Sequence, residues 1–186
     1  MDLLVVAATA RELAPAEGWR TLCCGVGPVE AAAATAAAIA TTRPRIILHV
    51  GIAGARRASG LVPPSLVIGT ASHYCDLTIP ATWAPHELTA PEALVAAAQR
   101  ALPDARCRRI GTSAHVGGSE GVEVEAMEGF GVLRAAALAG VPALEVRAIS
   151  NAIEETDRAR WAFDDAFAAI VAATPRLVPE LLRCVS

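Results

Sequence analysis

The chain contains no lysine, and all 16 of its basic residues are arginine. A P-loop phosphate site, a Schiff-base mechanism and a pyridoxal-phosphate anchor all need a lysine amine, so all three are excluded. Aromatic residues are scarce, at 4% of the sequence, which leaves the core to Ala, Val, Leu and Ile. Blocks of basic charge are missing and the net charge is −3, against a dedicated nucleic-acid binder. The cysteines Cys23, Cys24, Cys75, Cys107 and Cys184 show no C-x-x-C spacing; they read as small core residues of a protein in the reducing cytoplasm. His73 and Cys75 stand two apart on a predicted strand without a second ligand pair, so no metal is expected. Asp2 and the brief apolar stretch after it make a poor secretory leader. The longest uncharged run, Ala31 to Thr42, is too short to cross a bilayer and reads as an alanine-rich helix.

What is present is a 186-residue chain that is 54% hydrophobic, long enough for one domain over 1–186 with a sizeable core. Strand and helix signals alternate throughout. "DLLVVAA", "TLCCGVG", "RIILHVGIAGA" and "SLVIGTASHYC" read as buried strands. "RCRRIGTSAHV", "VEVEAM" and "GVPALEVRAISN" read as further ones. Helices are expected from Pro28 to about Thr41, from Pro91 to Leu102, from Glu128 to Ala139, and from Trp161 to Leu182 with a bend near Pro175 or Pro179. This pattern predicts an α/β fold: a single-domain three-layer α/β/α arrangement with a mixed, largely parallel central sheet.

In such folds ligands gather at the carboxyl ends of strands. Several polar or glycine-rich segments fall there: Ala7 to Glu12, Gly25 to Gly27, Gly51 to Gly54, Met127 with Glu128, and Arg147 to Asn151. "GVG" before a helix begins a dinucleotide fingerprint, but Glu30 stands where the third glycine belongs, so no cofactor is expected. Taken singly, each residue has an ordinary reading. Glu12 suits a solvated first helical turn, Glu128 a helix start, Glu145 with Arg147 a local ion pair, and Asn151 a cap. Together they are more persuasive.

The segment "EAMEGFGVLRAAALAGVPALEVRAISN", Glu125 to Asn151, resembles the most diagnostic stretch of the nucleoside phosphorylase/nucleosidase superfamily. There a Met-Glu pair opens a helix and an "RAIS" strand end follows. "GVGPVEAAAA" resembles that family's glycine turn and helix, and "VGIAGA" its sugar-side loop. Within the superfamily the futalosine hydrolase branch is most similar, and the methylthioadenosine/adenosylhomocysteine nucleosidases come next. The resemblance implies that Glu12 activates water, that Glu128 grips the ribose hydroxyls with Met127 packed on the sugar, and that Arg147 orients water and acid. It implies that Ala8 binds the substrate and that Gly51, Ile52 and Ala53 line the sugar side. It also implies that Asn151 reads the base where adenine-specific relatives usually carry aspartate.

An amide can donate toward N7 and O6 of a 6-oxopurine, two acceptors that a carboxylate would repel. Ile52 replaces a polar phosphate-side residue, which favours water over phosphate, although Arg56 and Arg57 stand nearby; their simpler reading is solvated loop charge. The segment from Gly111 to Glu125 is short for the family. His115 either stacks on the base or is an ordinary loop histidine, and Trp161 and Phe163 either close the pocket or join the core of the last helix. The expectation is a metal-free hydrolase of a 6-oxopurine nucleoside, working as a homodimer without nucleic-acid or membrane partners. An adenine-type nucleosidase, a purine nucleoside phosphorylase and an idle nucleoside-binding protein stay open.

Overall fold

Strands and helices follow one another much as the hydrophobic runs predict. The computed structural model describes residues 2–185. In chain order these form β1 (Leu3–Ala7), β2 (Arg20–Cys23), α1 (Pro28–Thr42), β3 (Ile46–Ala55), β4 (Leu66–Tyr74), β5 (Glu87–Thr89), α2 (Glu92–Ala101), β6 (Arg106–Thr112), β7 (Val124–Ala126), α3 (Gly129–Leu138), β8 (Ala143–Ala152) and α4 (Phe163–Leu182). Short 3-10 turns lie at Ala10–Glu12, Arg57–Ser59 and Arg158–Arg160.

The sheet is mixed and largely parallel. Parallel pairs join β1 to β2 and β3, β3 to β8, β4 to β6, and β6 to β7. Antiparallel pairs join β3 to β7 and β4 to both β5 and β8. The pairings close on themselves, because β3, β8, β4, β6 and β7 each contact the next and β7 returns to β3. A cluster of Ala53, Ala55, Val67, Ile110, Val124, Ala126 and Ile149 draws on all five of these strands and fills the ring. Small and branched side chains suit so narrow an interior.

On one face α2 and α4 pack over Leu48, Val50, Ile68, Val146 and Ala148. On the other, α1 and α3 cover Leu4, Val6 and Ile47. The α1 start needs its glycines: Gly25 and Gly27 take φ of 83° and 96°, a region open chiefly to glycine. Pro28 then opens the helix, and Pro44 follows the left-handed Arg43 at its end.

Boundaries shift where tertiary contacts win. α4 starts at Phe163 rather than Trp161 and continues through Pro175 and Pro179. β6 stops at Thr112 instead of Val116, because Asp76 accepts bonds from Ser113 Oγ and Ala114 N and turns the chain away. β5 has three residues, too few to show an alternation in sequence.

Candidate active site

The first strand delivers an acid to the carboxyl edge of the sheet. After β1 the chain turns through Thr9, and Glu12 folds back on it. Glu12 Oε2 accepts from both Thr9 N and Thr9 Oγ1 at 2.8 Å. Oε1 accepts from Ile52 N at 3.2 Å, at the end of β3. Three donors therefore fix a carboxylate that is 4% exposed.

A buried charge cluster lies beside it. Arg147, on β8, has no exposed surface. Its Nε donates to Glu145 Oε1 at 2.8 Å and its Nη2 to His49 Nε2 at 2.5 Å. Longer contacts of 3.5 Å run from Nη2 to Glu128 Oε2 and from Nη1 to Ile52 O. Glu128 sits at the N-cap of α3, and its Oε1 accepts from Gly27 N at 3.1 Å across the glycine turn.

The opposed charges of β8 thus form the local ion pair that alternation allowed, and the pair is tied to the acids of the site. Burial lifts the Glu145 carboxyl above its usual range, with Arg147 pulling the other way. Burial works to lower the Arg147 pKa, but Glu145 and Glu128 outweigh it and hold the guanidinium charged. Cys24, close by, is pushed up to about 12 by burial and then by Glu128, so it stays a thiol. Gly51 makes the packing feasible. A Cβ there would collide with Arg147 Nη1 and lie 2.9 Å from Glu12 Oε1.

β8 carries an irregularity at the point that matters. Ala53 pairs with Ile149 but Gly54 pairs with Asn151, so Ser150 is an extra residue in the register. Such bulges re-aim side chains, and here Ser150 and Asn151 both reach the cavity. Ser150 Oγ donates to Asn151 Oδ1 at 2.7 Å, and Asn151 Nδ2 donates to Ala152 O at 3.0 Å. An amide read from sequence has two free donors; in the structure one proton is committed to the backbone and one is free.

A cavity of about 580 Å³ opens at these strand ends. Of the residues expected from sequence, Ala8, Glu12, Ile52, Ala53, Met127, Glu128, Asn151, Trp161 and Phe163 line it. Gly51 and Arg147 do not; they lie behind the wall, where the arginine touches the acids rather than the cavity. His115 lines it as well, on an exposed loop.

Trp161 and Phe163 face the cavity and pack on each other at 5.4 Å; both are half-buried, Trp161 precedes α4, and neither belongs to the core beneath the last helix. Phe167, one turn on, extends that surface 6.2 Å from Phe163. Its spacing of four from Phe163 was the available signal.

Arg56 is not solvated loop charge. It is half-buried and donates to Val122 O at 3.0 Å and to Ser119 O. Arg57 is exposed, and its backbone N donates to Glu154 Oε2 at 3.1 Å. The arginine that does reach the cavity is Arg158, which no motif marked. Glu125 was equally unmarked. It is buried in the cavity wall, and its oxygens accept from Gly117 N at 2.6 Å and Ser119 N at 2.7 Å, pinning the loop that carries His115.

Comparison with known proteins places this geometry in context. Residues 20–118 match the family described as the phosphorylase superfamily. A futalosine hydrolase of Streptomyces coelicolor is 37% identical over 191 residues, covering 89% of this chain and 80% of that protein. Among solved structures, a mutant futalosine hydrolase of Helicobacter pylori superposes with a TM-score of 0.83 at 17% identity, covering 96% of this chain and 99% of that one. The Streptococcus pneumoniae MTA/SAH nucleosidase in complex with 8-aminoadenine gives a TM-score of 0.82 at 18% identity, with coverage of 96% and 99%. These two likenesses establish the three-layer fold with its mixed sheet. No helix of the described residues is long and apolar enough to cross a membrane.

Proposed function

This chain belongs to the phosphorylase superfamily, and from that premise we propose that it hydrolyses the N-glycosidic bond of futalosine, releasing hypoxanthine. It is an enzyme of the N-glycosyl hydrolase kind, a nucleosidase. The substrate reading has two supports: the identity to the Streptomyces futalosine hydrolase and the asparagine at the base-reading position. The observation that carries it is the joint opening of Glu12, Glu128 and Asn151 onto one cavity of about 580 Å³, a size that suits a small organic ligand.

The steps follow from the chemistry of each group. The bond from the anomeric carbon to the purine breaks, and its electron pair leaves with the base. Positive charge grows on the ribose ring beside Glu128 and Glu12, where preformed negative charge is most effective. The free amide N–H of Asn151 donates a hydrogen bond to N7, the purine atom that gains electron density, and the departing base takes its proton from solvent. Water attacks the anomeric carbon and Glu12 accepts its proton, a contribution typically worth about 10²–10⁴-fold. Thr9 and Ile52 hold the acid for that task. Arg147 stays behind the wall, paired with Glu145 and within 3.5 Å of Glu128, rather than touching the sugar.

Ile52 presents an apolar side chain where a phosphate nucleophile would need donors, which favours water. The aromatic surface of Trp161, Phe163 and Phe167 forms the remaining wall. Val26 and Val116 line the cavity yet are 57% and 41% exposed. A second copy packed over them would close its mouth, and sedimentation showing only monomer would remove that part of the reading. A reducing cytoplasm suits the free cysteines.

The test is chromatography of the free base after incubation with futalosine, with its 6-amino counterpart and with methylthioadenosine, each with and without phosphate. Hypoxanthine release independent of phosphate is the expected result. Phosphate dependence would mark a phosphorylase, adenine release alone an adenine-type nucleosidase, and binding without turnover an idle binding protein. Each of those outcomes overturns the proposal.

A further inference from the structure

His49 lies on β3 with no exposed surface, outside the cavity lining, and no step above uses it. Its ring is held between two groups of opposite demand. Nδ1 stands 3.0 Å from Val6 O. A carbonyl only accepts, so Nδ1 carries the ring proton. Nε2 is then a lone pair, and 2.5 Å away is Arg147 Nη2, a nitrogen that only donates. Burial, followed by the guanidinium charge, holds the imidazole pKa well below 6.5, so the ring stays neutral.

The neighbours show what this acceptor supplies. Glu145 grips Arg147 at Nε, at 2.8 Å. The contacts of Nη1 with Ile52 O and of Nη2 with Glu128 Oε2 are both 3.5 Å, too long to orient the group. Among the described residues, the histidine bond is the short contact that fixes the far end of the guanidinium. We propose that His49 is a positioning residue: its neutral Nδ1–H tautomer gives Arg147 a fixed acceptor and keeps Nη2 from swinging onto Glu128. Nη1 is thereby seated against Gly51, beside Glu12. Glu128 Oε2 is left free for the ribose. The inference rests on the roles proposed for Glu12 and Glu128.

Two substitutions separate positioning from mere packing, because they keep opposite halves of the contact. His49→Asn places an amide near Nδ1 and keeps a donor for Val6 O, but it is too short to reach Arg147. His49→Gln reaches the Nε2 position with an oxygen acceptor and gives up the bond to Val6. Positioning predicts that His49→Asn lowers kcat for futalosine by about 10- to 100-fold, as loss of an orienting partner does, with KM within about threefold. It predicts that His49→Gln stays within about threefold of the unsubstituted enzyme in kcat. The reverse order, or equal losses in both, would overturn it.

A second measurement needs no substrate. Proton exchange at the Arg147 guanidinium, followed by NMR on isotope-labelled protein, should be slow in the unsubstituted chain and in His49→Gln, and fast in His49→Asn. Fast exchange in the unsubstituted chain would overturn the inference directly. An unsubstituted enzyme that releases no base would instead overturn the functional reading, while the exchange measurement still decides the role of His49.

Discussion

Gly51→Ala is the most economical perturbation of this site, since it adds one methyl group and changes no charge. The structure sets its size. The new Cβ would overlap Arg147 Nη1 and stand 2.9 Å from Glu12 Oε1. Neither neighbour can retreat freely. Arg147 is anchored by Glu145 and His49, and Glu12 by Thr9 and Ile52. Overpacking of this kind costs about 1–3 kcal/mol. Against it, alanine restricts the unfolded chain more than glycine and returns about 0.4–1 kcal/mol. The net loss is about 1–2 kcal/mol, which for a chain of this length lowers Tm by about 2–8 °C. The catalytic effect should be larger, because displacing a positioned group by about 1 Å can cost about 100-fold. Purine release measured by chromatography, with Tm by calorimetry on the same sample, gives both numbers. The expected result is a folded protein with kcat down about 100-fold and KM little changed, since Gly51 lies behind the cavity wall. Full activity would refute the claim that Arg147 and Glu12 are held in place by the bare glycine between them.

Three further substitutions and conditions have stated outcomes. Glu12→Gln should abolish turnover, with a loss of at least about 100-fold, while isothermal calorimetry still detects nucleoside binding; an unchanged rate rejects it as the base. Asn151→Asp should move preference toward 6-aminopurine nucleosides, read as the ratio of kcat/KM values for futalosine and its 6-amino counterpart, and an unaltered ratio removes the reason for naming hypoxanthine. Stability should also fall in mild acid. Unfolded His49 takes up a proton as pH drops through about 6.5, whereas the folded ring, its pKa depressed by burial and Arg147, does not. The unfolded state therefore binds more protons, and the stabilisation is complete above about pH 6.5 and lost below it at about 1.4 kcal/mol per unit. Urea denaturation at about pH 7 and about pH 5 should show that slope in the unsubstituted protein and less of it in His49→Gln; equal slopes would place the proton elsewhere.

Much of this site is local in sequence, and that part is readable. The glycines before α1, the acid after β1 and the Met-Glu start of α3 sit at strand ends, where chain order and the α/β pattern bring them together. What escapes is set by contacts between distant segments. Arg56 looks like loop charge because nothing nearby in sequence pairs with it; its partners, Ser119 and Val122, are more than 60 residues away. Glu125 reads as a strand residue, yet it accepts from two amides of a loop whose course only the fold defines. His49 sits in an apolar run and gives no sign of the arginine 98 positions on. The bulge at Ser150 changes the alternation within a strand that otherwise reads correctly, and it commits one amide proton of Asn151 to Ala152.

The absence of lysine and the design of this cluster are connected through Arg147. A guanidinium presents donors from three nitrogens in one plane, so a single buried cation can serve Glu145, His49, Ile52 and Glu128 in different directions. An ammonium concentrates its charge and three donors at one point, and at this depth it would close onto a single carboxylate and leave the others unpaired. Leaving one buried charge without a partner costs about 3–5 kcal/mol, a sizeable fraction of the stability of a domain. The fold tolerates the arginine because its surroundings are stiff: the ring of strands is filled with small and branched side chains, and bare glycines at 51 and 129 leave room for the guanidinium and for Glu145. Arg147 pairs closely with Glu145, at 2.8 Å, while Glu128 stays 3.5 Å away, so part of the cluster's negative charge is left near the cavity, where a sugar developing positive charge would need it.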